Sequence, residues 1–348
     1  MVNPLPSTDE RKQEGSPHSV RYVLIRLLAA LAVAAAFFAI DRFLLQDDPV
    51  REQFGTTVRS FEIESDRLER TLPAKVVVPP RAPPRDRSLL VFLHGRGEDE
   101  RSYLVEPMFE ALAEQRGRAP VVAFPFGGDS SYWHDRGSGE WASYVLADVI
   151  PQLVARYDVD PGRIAIGGIS MGGYGAYNVA RIDPSRFCAV GGHSPAVWET
   201  AAETADGAFD DSDDFDRNNV IEIARTEPSP YAGLRLWLDA GEDDPFLAGD
   251  EALEEALRSA GSKPGPVVKR SPGGHDSGYW NGNWDEYFRF YAHALNECST
   301  EEEAEPGRGP AGEEPGEAEG EGGAGRGGPA SGSGSSARSS PAGSSAGG

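Results

Sequence analysis

Cysteine is scarce, with two residues in 348. That excludes a disulfide scaffold and a cysteine-rich zinc module. Positive charge is scarce too: 33 Lys and Arg face 56 Asp and Glu, for a net charge of −23. Phosphate contacts need clustered Lys and Arg, so no nucleic-acid partner is expected. The acidity reads first as a source of solubility, and otherwise as a preference for neutral or cationic substrates. From residue 301 onward there are 15 Gly and no Val, Ile, Leu, Met or aromatic residue. Such a segment buries too little apolar surface to offset its ordering entropy, so residues 300–348 read as a disordered tail. Gly is abundant but has no three-residue period, which excludes collagen. What remains between the two ends is about the size of one α/β domain.

No apolar run reaches the ~20 residues of a comfortable membrane span. The longest, Leu27–Ile40, has fourteen, with Arg11, Lys12, Arg21 and Arg26 ahead of it and Asp41 behind. A basic lead before a short apolar run resembles an export signal. Extension back to Tyr22 lengthens the run but includes Arg26, which would have to snorkel. Residues 1–45 therefore read as a cleaved signal or as an anchor attached to the membrane through residues 22–40. A buried core helix is the plain alternative. The first two readings place the rest of the chain outside the cytoplasm, secreted or membrane-anchored. Export would let Cys188 and Cys298 pair, although one lies in a strand-like run and the other at the end of a helix pattern.

Between these ends, residues 46–299 alternate strand and helix patterns. Strand patterns occupy Arg59–Glu64, Ala74–Val78, Ser88–Leu93, Ala119–Pro125, Arg163–Ile166, Phe187–Gly191, Leu234–Leu238 and Pro266–Lys269. Helical spacing covers Tyr103–Gln115, Glu140–Tyr157, a segment from Ser170 to Asp183, Asp250–Ser259 and Trp284–Glu297. Alternation of this kind predicts a mostly parallel sheet with helices on both faces. The pattern lapses over residues 198–231, which read as a lid or loop insertion. Six Asp lie within Asp206–Asp216, but they do not follow a calcium-loop template. A solvated loop is the expected reading, and no metal site is assigned.

Gly168-Ile169-Ser170-Met171-Gly172 fits G-x-S-x-G, a weak pattern on its own. Gly343-Ser344-Ser345-Ala346-Gly347 fits it too, inside the tail, where it means nothing. Ser170 differs because it follows a strand and opens a helix. That setting holds a serine exposed on a sharp turn. A serine hydroxyl needs a base, and the base an orienting acid, expected after later strands in the order Ser, acid, His. Of six histidines, His275 lies between the last strand and the last helix, in Ser271-Pro272-Gly273-Gly274-His275-Asp276. The acid candidates after Leu234–Leu238 are Asp239, Glu242, Asp243 and Asp244. Asp244 is preferred because it is past the turn, with Asp243 next. Acyl transfer also needs oxyanion donors. Met171 N–H is one, and the loop His94-Gly95-Arg96-Gly97 offers Arg96 N–H first and Gly97 N–H second. Tyr132, Trp133 and Trp141 are candidates to line the substrate pocket, or else are core residues.

These segments together resemble the Putative esterase (esterase D-like) family of the α/β-hydrolase superfamily. The resemblance lies in Gly167-Gly168-Ile169-Ser170-Met171-Gly172-Gly173-Tyr174-Gly175-Ala176, Leu93-His94-Gly95-Arg96-Gly97, Gly241-Glu242-Asp243-Asp244-Pro245-Phe246 and Gly273-Gly274-His275-Asp276 with Tyr279-Trp280. It covers about residues 58–297. The family includes S-formylglutathione hydrolases, feruloyl esterases and, more distantly, secreted mycolyltransferases. The resemblance implies the α/β-hydrolase fold and hydrolysis of a small-molecule carboxylic ester through an acyl-serine, with no metal or cofactor. Its acid turn points to Asp244. The rival expectations are an acyltransferase with the same three residues and a non-catalytic surface binding protein on the same fold.

Overall fold

A computed structural model describes residues 53–302, except 81, 83, 84, 262 and 263. Eight strands form one sheet: β1 (Thr57–Ser65), β2 (Arg70–Val78), β3 (Arg87–Leu93), β4 (Val121–Pro125), β5 (Val159–Ile169), β6 (Ala189–His193), β7 (Arg235–Gly241) and β8 (Val267–Ser271). Their order is β1-β2-β4-β3-β5-β6-β7-β8, and only the β1–β2 and β2–β4 pairings are antiparallel. The sheet is mostly parallel, as an α/β-hydrolase requires.

The central strands carry apolar residues without alternation because both sheet faces are covered. Leu89, Val91 and Leu93 of β3 enter one core cluster, and Leu90 and Phe92 enter the other. Strand β4 divides the same way, with Val121 and Ala123 opposite Val122 and Phe124. Helices α1 (Glu106–Glu114) and α9 (Trp284–Glu302) cover one face through Met108, Phe109, Leu112, Trp284, Phe288 and Leu295. The other face is covered by α2 (Trp141–Tyr144), α3 (Ile150–Tyr157), α4 (Met171–Ile182) and α7 (Leu247–Ser259).

The helical spacing over Glu140–Tyr157 is interrupted in the structure. A π-helical turn, Val145–Val149, separates α2 from α3. Pro151 explains the position, since its ring excludes the carbonyl four residues earlier from ordinary helical geometry and it has no N–H to donate. Residues 198–231 hold a 3₁₀ turn (Ala201–Glu203) and helices α5 (Ser212–Asn218) and α6 (Val220–Ala224). Helix α8 (Ser277–Asn281) precedes α9. Cys188 and Cys298, despite their unlike surroundings, form a disulfide with Cα atoms 5.9 Å apart. It ties the start of β6 to α9. Among the described residues no helix is long and apolar enough to cross a membrane; the run Leu27–Ile40 lies outside those residues, as does the tail beyond Glu302.

Candidate active site

The site forms at the carboxyl ends of the parallel strands, where ligands bind in open α/β sheets. Ser170 stands between β5 and α4 with φ +56° and ψ −118°, a strained backbone for a non-glycine residue. Its neighbours hold it there. Its N–H donates to His193 O at 3.0 Å, and its carbonyl accepts from Tyr174 and Ala196, each at 3.0 Å. A Cβ on Gly172 would fall 2.0 Å from Leu93 O, so only glycine lets α4 approach β3 this closely. The helix N-terminus adds a favourable field for negative charge at the serine.

Three side chains meet here. Ser170 Oγ lies 2.8 Å from His275 Nε2. His275 Nδ1 lies 3.0 Å from Asp244 Oδ2 and 3.2 Å from Oδ1. A carboxylate accepts only, so Nδ1 carries the proton and Nε2 is the ring nitrogen free to take one. Asp244 Oδ1 also accepts the Phe246 N–H at 2.9 Å. Burial pushes the Asp244 pKa up, but hydrogen bonds from His275 and the Phe246 amide more than offset this and hold it below the usual aspartate value. Asp244 therefore stays ionised at neutral pH. The loop that carries His275 is fixed by Asp276, which caps α8 by accepting the amides of Gly278 and Tyr279.

The amides of Met171 and Arg96 have no hydrogen-bond acceptor among the described residues. The loop carrying Arg96 lies against the serine, since a Cβ on Gly95 would be 3.5 Å from Ser170 Cβ. Gly97 N–H, the second candidate from this loop, donates to Asp129 O at 2.7 Å and is not available. Gly97 takes a φ of +73°, in the left-handed region that favours glycine. Asp239, the first of the acid candidates, lies within β7, fully buried and bonded to His193 at 2.7 Å.

With this geometry in hand, comparison with known proteins is decisive. A family described as Putative esterase matches residues 65–297. The chain belongs to this family. The esterase is 24% identical over 255 residues to the S-formylglutathione hydrolase of Bos taurus, covering 65% of this chain and 89% of that protein. It is 24% identical over 233 residues to an esterase of Mycobacterium tuberculosis, covering 55% of this chain and 49% of that one. Among solved structures it shares the fold of a ferulic acid esterase, with a TM-score of 0.61 at 21% identity over 70% of this chain and 99% of the other. An S-formylglutathione hydrolase from Agrobacterium tumefaciens gives a TM-score of 0.59 at 20% identity, over 70% and 97%. The family, with its S-formylglutathione hydrolase and esterase relatives, makes this chain a serine esterase.

The three aromatic pocket candidates of this esterase, Tyr132, Trp133 and Trp141, are all buried in the same core cluster. Trp133 is fully buried, donates its ring N–H to His94 O at 3.1 Å, and fills the space beside Gly127 and Gly175. Trp141 is nearly as buried and packs on Gly128 and Tyr144, under the Arg70 guanidinium. Both are core, so neither is kept as a pocket residue. Tyr132 is as buried as Trp141 and belongs to the same core cluster, with its ring 5.8 Å from Trp198 and 6.2 Å from Phe209. The rings that flank the histidine are two others. Phe246 is 4.9 Å and Trp280 5.2 Å from the His275 ring, and Trp198 is 5.4 Å from Phe246. Their signal was their place in the acid turn and the histidine loop. What singles them out is their half-buried packing on a polar ring, which spacing does not reveal.

Three of the six aspartates of the insertion, Asp210, Asp211 and Asp214, hold structure through their side chains, while Asp206, Asp213 and Asp216 are exposed. Asp210 accepts from Arg136 at 2.6 and 2.9 Å and from Gly137 N–H at 2.7 Å. Asp211 caps α5, and Asp214 bonds His134 at 3.0 Å. Arg136 also donates to Gly207 O and Ala208 O, and Arg96 to Asp206 O. The insertion is thus strapped down beside the serine. Among the described residues no group of three or more His, Cys, Asp or Glu is placed to hold a metal.

Proposed function

We propose that the protein is an extracytoplasmic carboxylic-ester hydrolase in which Ser170, His275 and Asp244 act as a catalytic triad. The observation that carries this reading is the unbroken chain of contacts from Ser170 Oγ to His275 to Asp244, at 2.8 and 3.0 Å, on a strained strand-to-helix turn. Ser170 Oγ attacks the ester carbonyl carbon while His275 Nε2 takes the hydroxyl proton. The carbonyl oxygen becomes an oxyanion held by the amides of Met171 and Arg96. As the intermediate collapses, the C–O bond to the alcohol breaks and His275 returns the proton to the leaving oxygen. A water then repeats the sequence on the acyl-serine and releases the acid. Asp244 fixes the histidine tautomer and stabilises its charged form.

The location rests on different support. A disulfide persists in oxidising compartments, and the chain bonds Cys188 to Cys298. The basic lead and apolar run of residues 1–45 agree with export, whether through a cleaved signal or an anchor at residues 22–40. The catalytic domain is taken as residues 46–299.

A membrane-impermeant fluorophosphonate on intact cells producing the full chain tests both parts. Labelling of wild type and none of Ser170→Ala is expected, with p-nitrophenyl ester turnover lost in the same variant. Undiminished turnover in Ser170→Ala would sink the triad. Labelling only after lysis would put the protein inside. Product analysis with an added alcohol separates hydrolysis from acyl transfer, and free acid is the expected main product.

A further inference from the structure

The oxyanion loop has more amide donors than the reaction can use, and of the amides of residues 95–98 all but one are engaged. Gly95 N–H donates to Glu98 Oε2 at 2.8 Å and also lies 3.1 Å from the Tyr103 hydroxyl oxygen. Gly97 N–H donates to Asp129 O at 2.7 Å, and Glu98 N–H to Gly95 O at 3.3 Å. The carbonyl of His94 accepts from Trp133. His94 Nε2 accepts the Gly127 amide at 2.9 Å. Arg96 N–H alone in this set has no acceptor among the described residues, and it sits in the loop that lies on Ser170.

Glu98 is an odd residue for this place. A carboxylate beside a developing oxyanion opposes it by simple charge repulsion. Its presence calls for a geometric reason, and its bonds provide one. The Tyr103 hydroxyl donates to the same Oε2 that accepts from Gly95. Burial and the nearby Glu98 raise the Tyr103 pKa well above that of a free tyrosine, so this donor keeps its proton at any working pH. A side chain reaching back three residues thus clamps the first peptide of the loop. The next amide is left free to face the serine.

We propose that Glu98, braced by Tyr103, is the positioning residue of the oxyanion loop: by engaging the Gly95 amide it orients the Arg96 amide as the donor to the oxyanion. The inference rests on the triad reading above and adds to it. The clamp depends on reach and on an acceptor oxygen, not on charge. Gln keeps both the reach and an acceptor. Asp keeps the charge but is one methylene short.

The test uses the full chain with Glu98→Gln and Glu98→Asp, and Tyr103→Phe as a third variant that removes the brace. Measured are kcat and KM on a p-nitrophenyl ester, the inhibition constant of an arylboronic acid, and Tm. The boronic acid forms a tetrahedral anion on the serine and so reads the oxyanion donors directly. Glu98→Asp should lose about tenfold in kcat, below the 10²–10³ of deleting an oxyanion donor outright, with KM little changed. Boronic acid affinity should fall in step. Glu98→Gln should stay within about threefold of wild type in both, which a role for charge would not allow. Tyr103→Phe should fall between the two. A reversed order, with Asp active and Gln impaired, would overturn the proposal. So would a Glu98→Asp loss confined to KM, or one that leaves the boronic acid affinity unchanged. A wild type whose turnover survives Ser170→Ala would instead break the triad reading beneath it.

Discussion

Two histidine–aspartate pairs lie near the serine, built from the same two groups and doing opposite things. His193 Nδ1 is 2.7 Å from Asp239, and His275 Nδ1 is 3.0 Å from Asp244. Both aspartates come from β7 or the turn that follows it. The difference lies in what meets the second ring nitrogen and in burial. His193 Nε2 faces the Tyr291 hydroxyl at 2.9 Å, and Asp239 also accepts from Trp237 and Tyr287 at 2.6 and 2.9 Å. Every polar atom of that pair is occupied and its side chains are 0% exposed. His275 Nε2 faces only the serine, and its side chain is 19% exposed. A saturated, dry pair is scaffold. An open one with a proton acceptor at the surface can do chemistry. The buried pair still serves the site, because the His193 carbonyl is the acceptor that holds the Ser170 amide.

Removing each histidine should separate the two roles. His275→Ala should cost about 10⁴-fold or more in kcat and abolish fluorophosphonate labelling. Its Tm should hold, since a partly exposed loop residue carries little stability. His193→Ala should do the reverse in kind. It leaves the Asp239 carboxylate and the Tyr291 hydroxyl short of a buried partner, at a cost of about 3–5 kcal/mol in chemical denaturation. At temperatures where it remains folded, labelling of Ser170 should persist. A His193→Ala protein as stable as wild type but unlabelled would erase the distinction between the pairs.

The sequence carried much of this site because chain order is a strong constraint in an alternating α/β chain. Ser170 and His275 are legible from their position after a strand and near glycines, whereas Asp244 is one of four acids after a strand, preferred for its place past the turn. The structure brings those three together. Loop details were less legible for physical reasons. Arg96 and Gly97 are adjacent amides, and which of them is free depends on a carbonyl more than thirty residues away, at Asp129. Trp133 and Trp141 lie in a polar-looking stretch, yet close-approach glycines elsewhere in the chain make room to bury them. Helices α5 and α6 leave no mark in the sequence, because an aspartate-rich segment lacks the apolar periodicity that marks a helix. They are held instead by caps from Asp211 and Asn219. The cysteine pairing joins a strand start to a distant helix, and no local pattern encodes such a contact.

A third pair, His134 with Asp214, extends the comparison from chemistry to pH. It too is buried, with His134 Nε2 3.0 Å from the carboxylate and its ring stacked on Phe209. Asp214 also accepts the Asp210 amide and the Asn218 side chain, so the pair anchors the insertion. Burial lowers the His134 pKa, and Asp214 raises it only part of the way back. The folded-state value is therefore below the unfolded one, near 6.5. As pH falls below that, the unfolded chain takes up the proton first and the folded state loses stability. Above it the contribution is fully present. One proton can supply at most about 1.4 kcal/mol per pH unit of slope. His134→Gln, which cannot titrate, should be less stable than wild type at pH 8, where its lost contact is all that counts. Its urea midpoint should then fall less steeply than that of wild type from pH 6.5 down to pH 5. The slope should not vanish, because burial also lowers the pKa of His94. Parallel curves for the two proteins would mean that His134 anchors the insertion without sensing pH.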